Sequence, residues 1–350
     1  MASTIWAPVS ASWGVLSPLT VAAVPTGMNR GVSTTPWGVT KRPVRARVLG
    51  QRAVMSNEKA KDAGMAGGMA RMRQLPAWLR DLAGAWVFYS VLPAWPGIEP
   101  GFGRIARFAP WVAVVLGGLQ ALLWLLTAAW LPPLVQVCLV IVLALVLTGG
   151  LHADGVVDTA DGLAAGPRAL EAMDDSRVGA AGVQALVVVV LLRAGGLLAL
   201  AAVAPPPVVA WSLLLSAIWG RISPLLAIAR FPYLRERGTA AFHRQGRGPL
   251  LRELLPGLLL LTALALLVLG LGRGDPRLAW MLLPALLLPA LPALLLPGWL
   301  GRRLGGHSGD TYGACVEWTE ALGLLLCGLL ASALAAVSAA ISAAASGAAG

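Results

Sequence analysis

The chain has 350 residues, 57% of them hydrophobic and only 12% charged, with a formal net charge of +11. Its mean hydropathy of +0.75 excludes a soluble globular domain and points to a polytopic membrane protein. The positive charge sits in loops and in the N-terminal extension, with no basic domain carrying interleaved aromatics, so a nucleic-acid partner is not expected. Cys138, Cys315 and Cys327 form no CxxC pair and read as small apolar residues without a disulfide framework.

Residues 1–72 stand apart. Up to residue 70 they hold eight basic residues and two acids, Glu58 and Asp62, and no sustained apolar period. They read as a disordered basic extension, an Arg-rich targeting segment, or residues ahead of the true start, since Met55, Met65, Met69 and Met72 all follow. Residues 73–345 are the expected membrane catalytic domain. Its first stretch, 74–97, mixes Trp, Tyr and Phe with Leu and Val over a short apolar core, which predicts an interfacial or re-entrant helix. Seven apolar stretches follow, at 109–131, 133–151, 181–204, 207–229, 254–272, 278–300 and 321–345. Most approach the roughly 20 residues that a spanning helix requires. Prolines 284, 289, 292 and 297 predict an irregular sixth span. The expected fold is an all-α bundle of about seven transmembrane helices.

Arginine placement orients that bundle. With the segment before the first span on the cytoplasmic side, the segments 71–108, 152–180, 230–253 and 301–320 are cytoplasmic and carry fifteen arginines, against Arg273 and Arg277 on the other side. This is the positive-inside pattern, and it implies a multi-pass protein of the cell inner (plasma) membrane with its polar loops in the cytoplasm.

The chemistry concentrates there. Five of the nine aspartates lie between residues 154 and 175. In the string from Gly149 to Gly162, Asp154, Asp158 and Asp161 recur at i, i+4 and i+7, so a helix places all three on one face. Like charges so close repel one another unless a cation neutralises them, and hard carboxylate oxygens suit Mg²⁺ bound to a diphosphate. The bland alternative is a solvated loop after a span. His152 lies beside this face. Asp174, Asp175 and Arg177 follow; they read as a metal ligand and a phosphate-binding guanidinium, or as a surface salt bridge capping the next helix. The Gly-rich string from Gly305 to Gly313 brings Gly309 and Asp310, and reads either as a backbone cradle for phosphate with a further metal ligand or as an ordinary turn. The basic loop from Arg230 to Arg247 would hold anionic phosphates or lipid headgroups, or simply anchor the positive side. Arg193 and Arg221 lie inside spans, where a charge is paired or functional, and Pro224 predicts a kink beside Arg221.

Two strings, GGLHADGVVDTADGL and EAMDDSRVGAAGV, resemble the signature of the membrane-bound adenosylcobinamide-GDP ribazoletransferases, the cobalamin synthases. Arg193, the segment from Gly220-Arg221 to Pro232, and Gly306 to Gly313 fit the same family, over roughly residues 73–330. WVFYSVLPAWPG resembles the family's aromatic opening, with its Thr and neighbouring Arg replaced. The resemblance implies a Mg²⁺-dependent transferase that joins adenosylcobinamide-GDP to α-ribazole or its 5′-phosphate and releases GMP, late in cobalamin biosynthesis. Asp154, Asp158 and Asp161 are then the expected Mg²⁺ ligands, with Asp175 and Asp310 as further candidates and one carboxylate as candidate base. Asp154, Asp158, Asp161 and Arg177 would be catalytic, with His152, Arg193, Arg221, Arg230 and Gly309 at the substrate. The expected partners are these small molecules and membrane lipid; the oligomeric state is left open. A CDP-alcohol phosphotransferase is the rival, because Asp158 to Ala165 follows its opening DxxDGxxA, but Gly166 stands where Arg is expected and the later GxxxDxxxD is absent. A multispan transporter with an acidic cation site is the alternative from another class.

Overall fold

The computed structural model describes residues 75–235, 248–274 and 276–348. Helix α1 spans Ala77–Tyr89. A short 3-10 turn, Ile105–Phe108, runs into α2, Ala109–Thr127. Then come α3, Pro133–Thr148, and α4, Leu151–Ala165. A 3-10 turn and the short α5, Ala169–Asp174, lead to α6, Ala180–Val203, and α7, Pro206–Arg230. The last four helices are α8, Leu250–Gly272; α9, Pro276–Leu287; α10, Ala290–Leu304; and α11, Gly309–Ala348. Proline starts several of them: Pro110, Pro133 and Pro206 fall in first turns, where the missing N–H removes no helical bond and the fixed φ favours the helix.

Among the described residues, six helices are long and apolar enough to cross a membrane, and seven if the bent pair of α3 with α4–α5 counts as one span. That pair turns by 90° at Gly149-Gly150. Both glycines have positive φ, 61° and 73°, a region L side chains rarely adopt, so the turn depends on them. The second predicted span therefore stops at Thr148, and the aspartates lie on a helix running crosswise to it. The sixth predicted span breaks into α9 and α10 at Leu288-Pro289, as its prolines led one to expect. The last helix differs more: it begins at Gly309, twelve residues before the apolar stretch at 321.

The core gathers Val137, Leu197, Leu213, Ile218, Leu261 and Leu324 from α3, α6, α7, α8 and α11. Helix α7 is the most enclosed of the spans. Lipid-like exposure of Leu126, Val146, Leu191, Leu266 and Leu269 marks the outer faces of the surrounding helices.

Candidate functional site at the polar end of the bundle

Helix α4 presents Asp154 exposed and Asp158 half-buried, with Val156 and Val157 buried on its other faces. The start of α11 is pressed against it. A Cβ at Gly155 would lie 2.4 Å from the Asp310 carbonyl oxygen, and one at Gly313 would lie 3.2 Å from the His152 Cα. Only glycine allows this approach, which carries Asp310 to the acidic helix. Ser308 and Thr311 fix where α11 starts. The Thr311 N–H donates to Ser308 Oγ at 3.4 Å, and the Ser308 N–H donates to Thr311 Oγ1 at 2.9 Å, a reciprocal cap with Thr in the role usually taken by Glu.

The basic loop joins this edge. Arg235 makes ion pairs with Asp174 at 3.0 Å and with Asp310 at 2.9 Å, tying α5 to α11. Beside it, the His307 N–H donates to the Pro232 carbonyl at 2.9 Å and the Leu234 N–H donates to the His307 carbonyl at 2.8 Å. Burial pushes the His307 imidazole down to about 4. Its Nε2 lies 3.0 Å from the Pro297 carbonyl and its Nδ1 2.9 Å from Thr311 Oγ1. A carbonyl only accepts, so Nε2 carries the proton and Nδ1 accepts from the threonine. The rest of the basic loop, from Glu236 to Arg247, lies outside the described residues, as does the extension up to residue 74.

Other predicted site residues have structural partners. Asp161 accepts from the Gly179 N–H through Oδ2 and from the Gly182 N–H through Oδ1, both at 2.8 Å. It thereby caps α6 from a neighbouring helix, on the dipole's positive end. Asp175 holds Arg177 at 2.6 Å, and those hydrogen bonds keep its carboxyl down to about 2. The Arg177 side chain is 88% exposed, in keeping with the surface salt bridge weighed for this pair. Arg230 ends α7, exposed and in the last turn.

Arg193 and Arg221 are both buried, and both are paired. Arg193 meets Glu320 at 2.9 Å, Glu317 at 3.4 Å and Gln120 at 2.8 Å. Arg221 meets the other oxygen of Glu320 in a short contact. Two arginines and two glutamates neutralise one another inside the bundle, which is what keeps four charges tolerable there. Glu317 and Glu320 were missed by the sequence reading; two acids at i and i+3 within an otherwise apolar run were their signal. Arg193 thus locks α6 to α11, whereas Arg221 also reaches a cavity. Its second terminal nitrogen lies 3.5 Å from His152 Nδ1. The cavity is about 580 Å³ including its mouth, and is lined by Phe88, Tyr89, His152, Arg221, Pro224, Ile228, Gly309 and Tyr312 among others. Tyr89 stacks on His152, with ring centroids 6.3 Å apart and planes 19° apart. Helix α7 continues through Pro224, which faces this cavity.

Among the described residues, no three His, Cys, Asp or Glu side chains are grouped closely enough to hold a metal ion by themselves. Mg²⁺, however, commonly takes one or two carboxylates and completes its shell with water and substrate phosphate. Asp154 and Asp158 on one face of α4, with Asp310 on the turn packed against Gly155, fit that shared mode. Arg235, lodged between Asp174 and Asp310, shows that this edge already gathers cationic charge.

Spans of this length around an acidic and basic edge at one end define a polytopic helical membrane protein with its polar chemistry at the bilayer boundary. Residues 81–330 match the family described as cobalamin-5-phosphate synthase. An adenosylcobinamide-GDP ribazoletransferase of Prochlorococcus marinus (strain MIT 9313) is 55% identical over 274 residues, covering 73% of this chain and 97% of that protein. One from Thermosynechococcus vestitus is 43% identical over 247 residues, covering 69% and 93%. One from Synechocystis sp. is 41% identical over 258 residues, covering 71% and 94%. No solved structure matches. The chain belongs to the cobalamin-5-phosphate synthase family, which sets aside the CDP-alcohol phosphotransferase and transporter readings.

Proposed function

We propose that this chain joins adenosylcobinamide-GDP to α-ribazole, or to its 5′-phosphate, and releases GMP. The observation that carries this reading is the 55% identity along 97% of a ribazoletransferase. The geometry suits the chemistry. A nucleotide-activated diphosphate needs its charge neutralised, a hydroxyl brought in line with phosphorus, and a leaving nucleotide stabilised. One or two of Asp154, Asp158 and Asp310 would hold Mg²⁺ together with the diphosphate and water. The ion, when bound, would neutralise phosphate charge and polarise the reacting phosphorus. Arg235 offers a guanidinium at the same edge, suited to phosphate oxygens. A carboxylate of α4 accepts the proton as a free ribose hydroxyl of the ribazole attacks the phosphorus on the corrinoid side, and GMP departs. Asp161 and Asp175 contribute by holding α6 and Arg177 in place. We further propose that the protein resides in the plasma membrane with this edge in the cytoplasm, where nucleotide substrates are. Incubating membranes that contain the protein with adenosylcobinamide-GDP, α-ribazole and Mg²⁺ tests the reading: GMP and a cobalamin must appear together. Release of CMP from a lipid substrate instead would overturn it.

A further inference from the structure

Resting on that function, we propose that the cavity between α1, α4, α7 and α11 takes the planar base of the ribazole nucleoside, and that His152 Nε2–H donates to the base's free ring nitrogen. The cavity is a partly open cleft, about 580 Å³ with the solvent at its mouth included. A corrin ring with its side chains is far too large to be enclosed there, whereas the flat edge of a bicyclic base can enter between the rings that line it. The lining also suits an aromatic guest. Phe88, Tyr89 and Tyr312 supply ring faces and Ile228 an aliphatic wall.

The polar groups narrow the choice further. The Arg221 guanidinium only donates, so His152 Nδ1 beside it at 3.5 Å is the acceptor. The proton of the neutral ring then sits on Nε2. This atom is buried, on a residue only 3% exposed, and has no hydrogen-bond partner. A buried donor without a partner is costly, and a ligand acceptor removes the cost. A benzimidazole-type nucleoside has one glycosylated nitrogen and one in-plane nitrogen lone pair, which is such an acceptor. The placement agrees with the reaction. Gly309 lines the cavity and Asp310 follows it, while His152 precedes Asp154 by two residues, so a base seated here leaves its ribose directed along the same elements as the acidic edge.

The test uses the full-length protein in detergent or liposomes, with α-ribazole and the matching indole riboside, in which a C–H replaces the free nitrogen. Equilibrium dialysis of each nucleoside alone should show α-ribazole bound roughly 10- to 100-fold more tightly than the indole riboside. His152→Phe should erase that preference, and Tyr89→Leu should weaken both nucleosides while Tyr89→Phe restores them. In turnover, Ile228→Trp at the half-buried mouth should raise KM for α-ribazole about tenfold and leave KM for adenosylcobinamide-GDP within about twofold. Equal binding of the two nucleosides by the wild type overturns the proposal, as does an effect of Ile228→Trp on the corrinoid KM alone. Displacement of a spin-labelled acyl chain from the cavity with no response to α-ribazole would make it a lipid site and overturn it too. Wild-type protein that binds α-ribazole selectively yet yields no GMP would instead refute the assigned reaction while the cavity assignment stood.

Discussion

Asp154, Asp158 and Asp161 share a face in the sequence, yet their surroundings give them different work. Asp161 spends one lone pair of each oxygen on backbone amides at the start of α6, whereas Asp154 is exposed on the edge that Asp310 approaches. Asp154→Asn and Asp158→Asn are expected to lower turnover by roughly 100-fold or more at saturating Mg²⁺, with normal insertion into the membrane. Asp161→Ala should act mainly on the fold, lowering stability by about 1–2 kcal/mol through the lost cap. Parallel GMP-release assays and thermal unfolding of the three variants check this division. His307 supplies a pH dependence of known sign. Its value in the folded protein, about 4, lies below the ordinary 6.5. Between these values the unfolded chain binds a proton that the folded one excludes. The stabilisation is therefore complete above pH 6.5 and declines as the pH falls toward about 4, by roughly 3 kcal/mol across the window. Unfolding midpoints measured from pH 7 to 4 should fall for the wild type and flatten for His307→Gln.

At the scale of helices, two crossings carry the site. The first is α4 against α11, closed by Gly155 and Gly313. A Cβ at Gly155 meets main chain, which cannot yield as a side chain end can. Gly155→Ala should push Asp310 from the acidic edge and cut activity by at least about tenfold. Gly118→Ala, where a Cβ meets nothing within 4 Å, is the control and should leave activity intact. The second crossing is the buried charge network of α6, α7 and α11. Glu320→Gln strips both arginines of a shared partner and should destabilise the protein by roughly 3–5 kcal/mol, read as a lower unfolding midpoint. These crossings also explain what could be read in advance. Most of the spans, the irregularity of the sixth and the one-faced aspartates were legible because hydropathy and helical period are local signals. The true start of α11 was not: Asp310, Glu317 and Glu320 depress hydropathy over its first turns, while Arg193 and Arg221, which compensate the two buried glutamates, come from other helices. Nor was the capping role of Asp161, whose amide partners come eighteen and twenty-one residues later. The cavity was beyond reach for the same reason, since its walls come from helices as far apart in the chain as those of Phe88, His152, Arg221 and Tyr312. Tyr89 and Phe88, at the end of α1, line it from the first aromatic stretch.

For the molecule as a whole, the contacts make the orientation testable with few probes. Arg235 pairs with both Asp174 and Asp310, and the main chain of Leu234 pairs with His307, so the segments after α4, after α7 and after α10 meet at one end of the bundle. The turn between α2 and α3 belongs to the opposite end of those helices, and Trp130 there is 70% exposed. The fifteen-to-two arginine bias read from the sequence supports the proposed placement of this end in the cytoplasm. The proposed placement suits the reaction, because a GDP-activated corrinoid and the GMP released from it are charged nucleotides that do not cross a bilayer unaided. Cys138 is exposed while Cys315 and Cys327 are buried, so Cys138→Ser provides the background for labelling. On it, Arg168→Cys should react with an impermeant maleimide in inverted vesicles and not in intact cells. Trp130→Cys should show the reverse. Labelling of Arg168→Cys from outside intact cells would invert the bundle and separate the aspartates from their nucleotide substrate, whatever the site geometry.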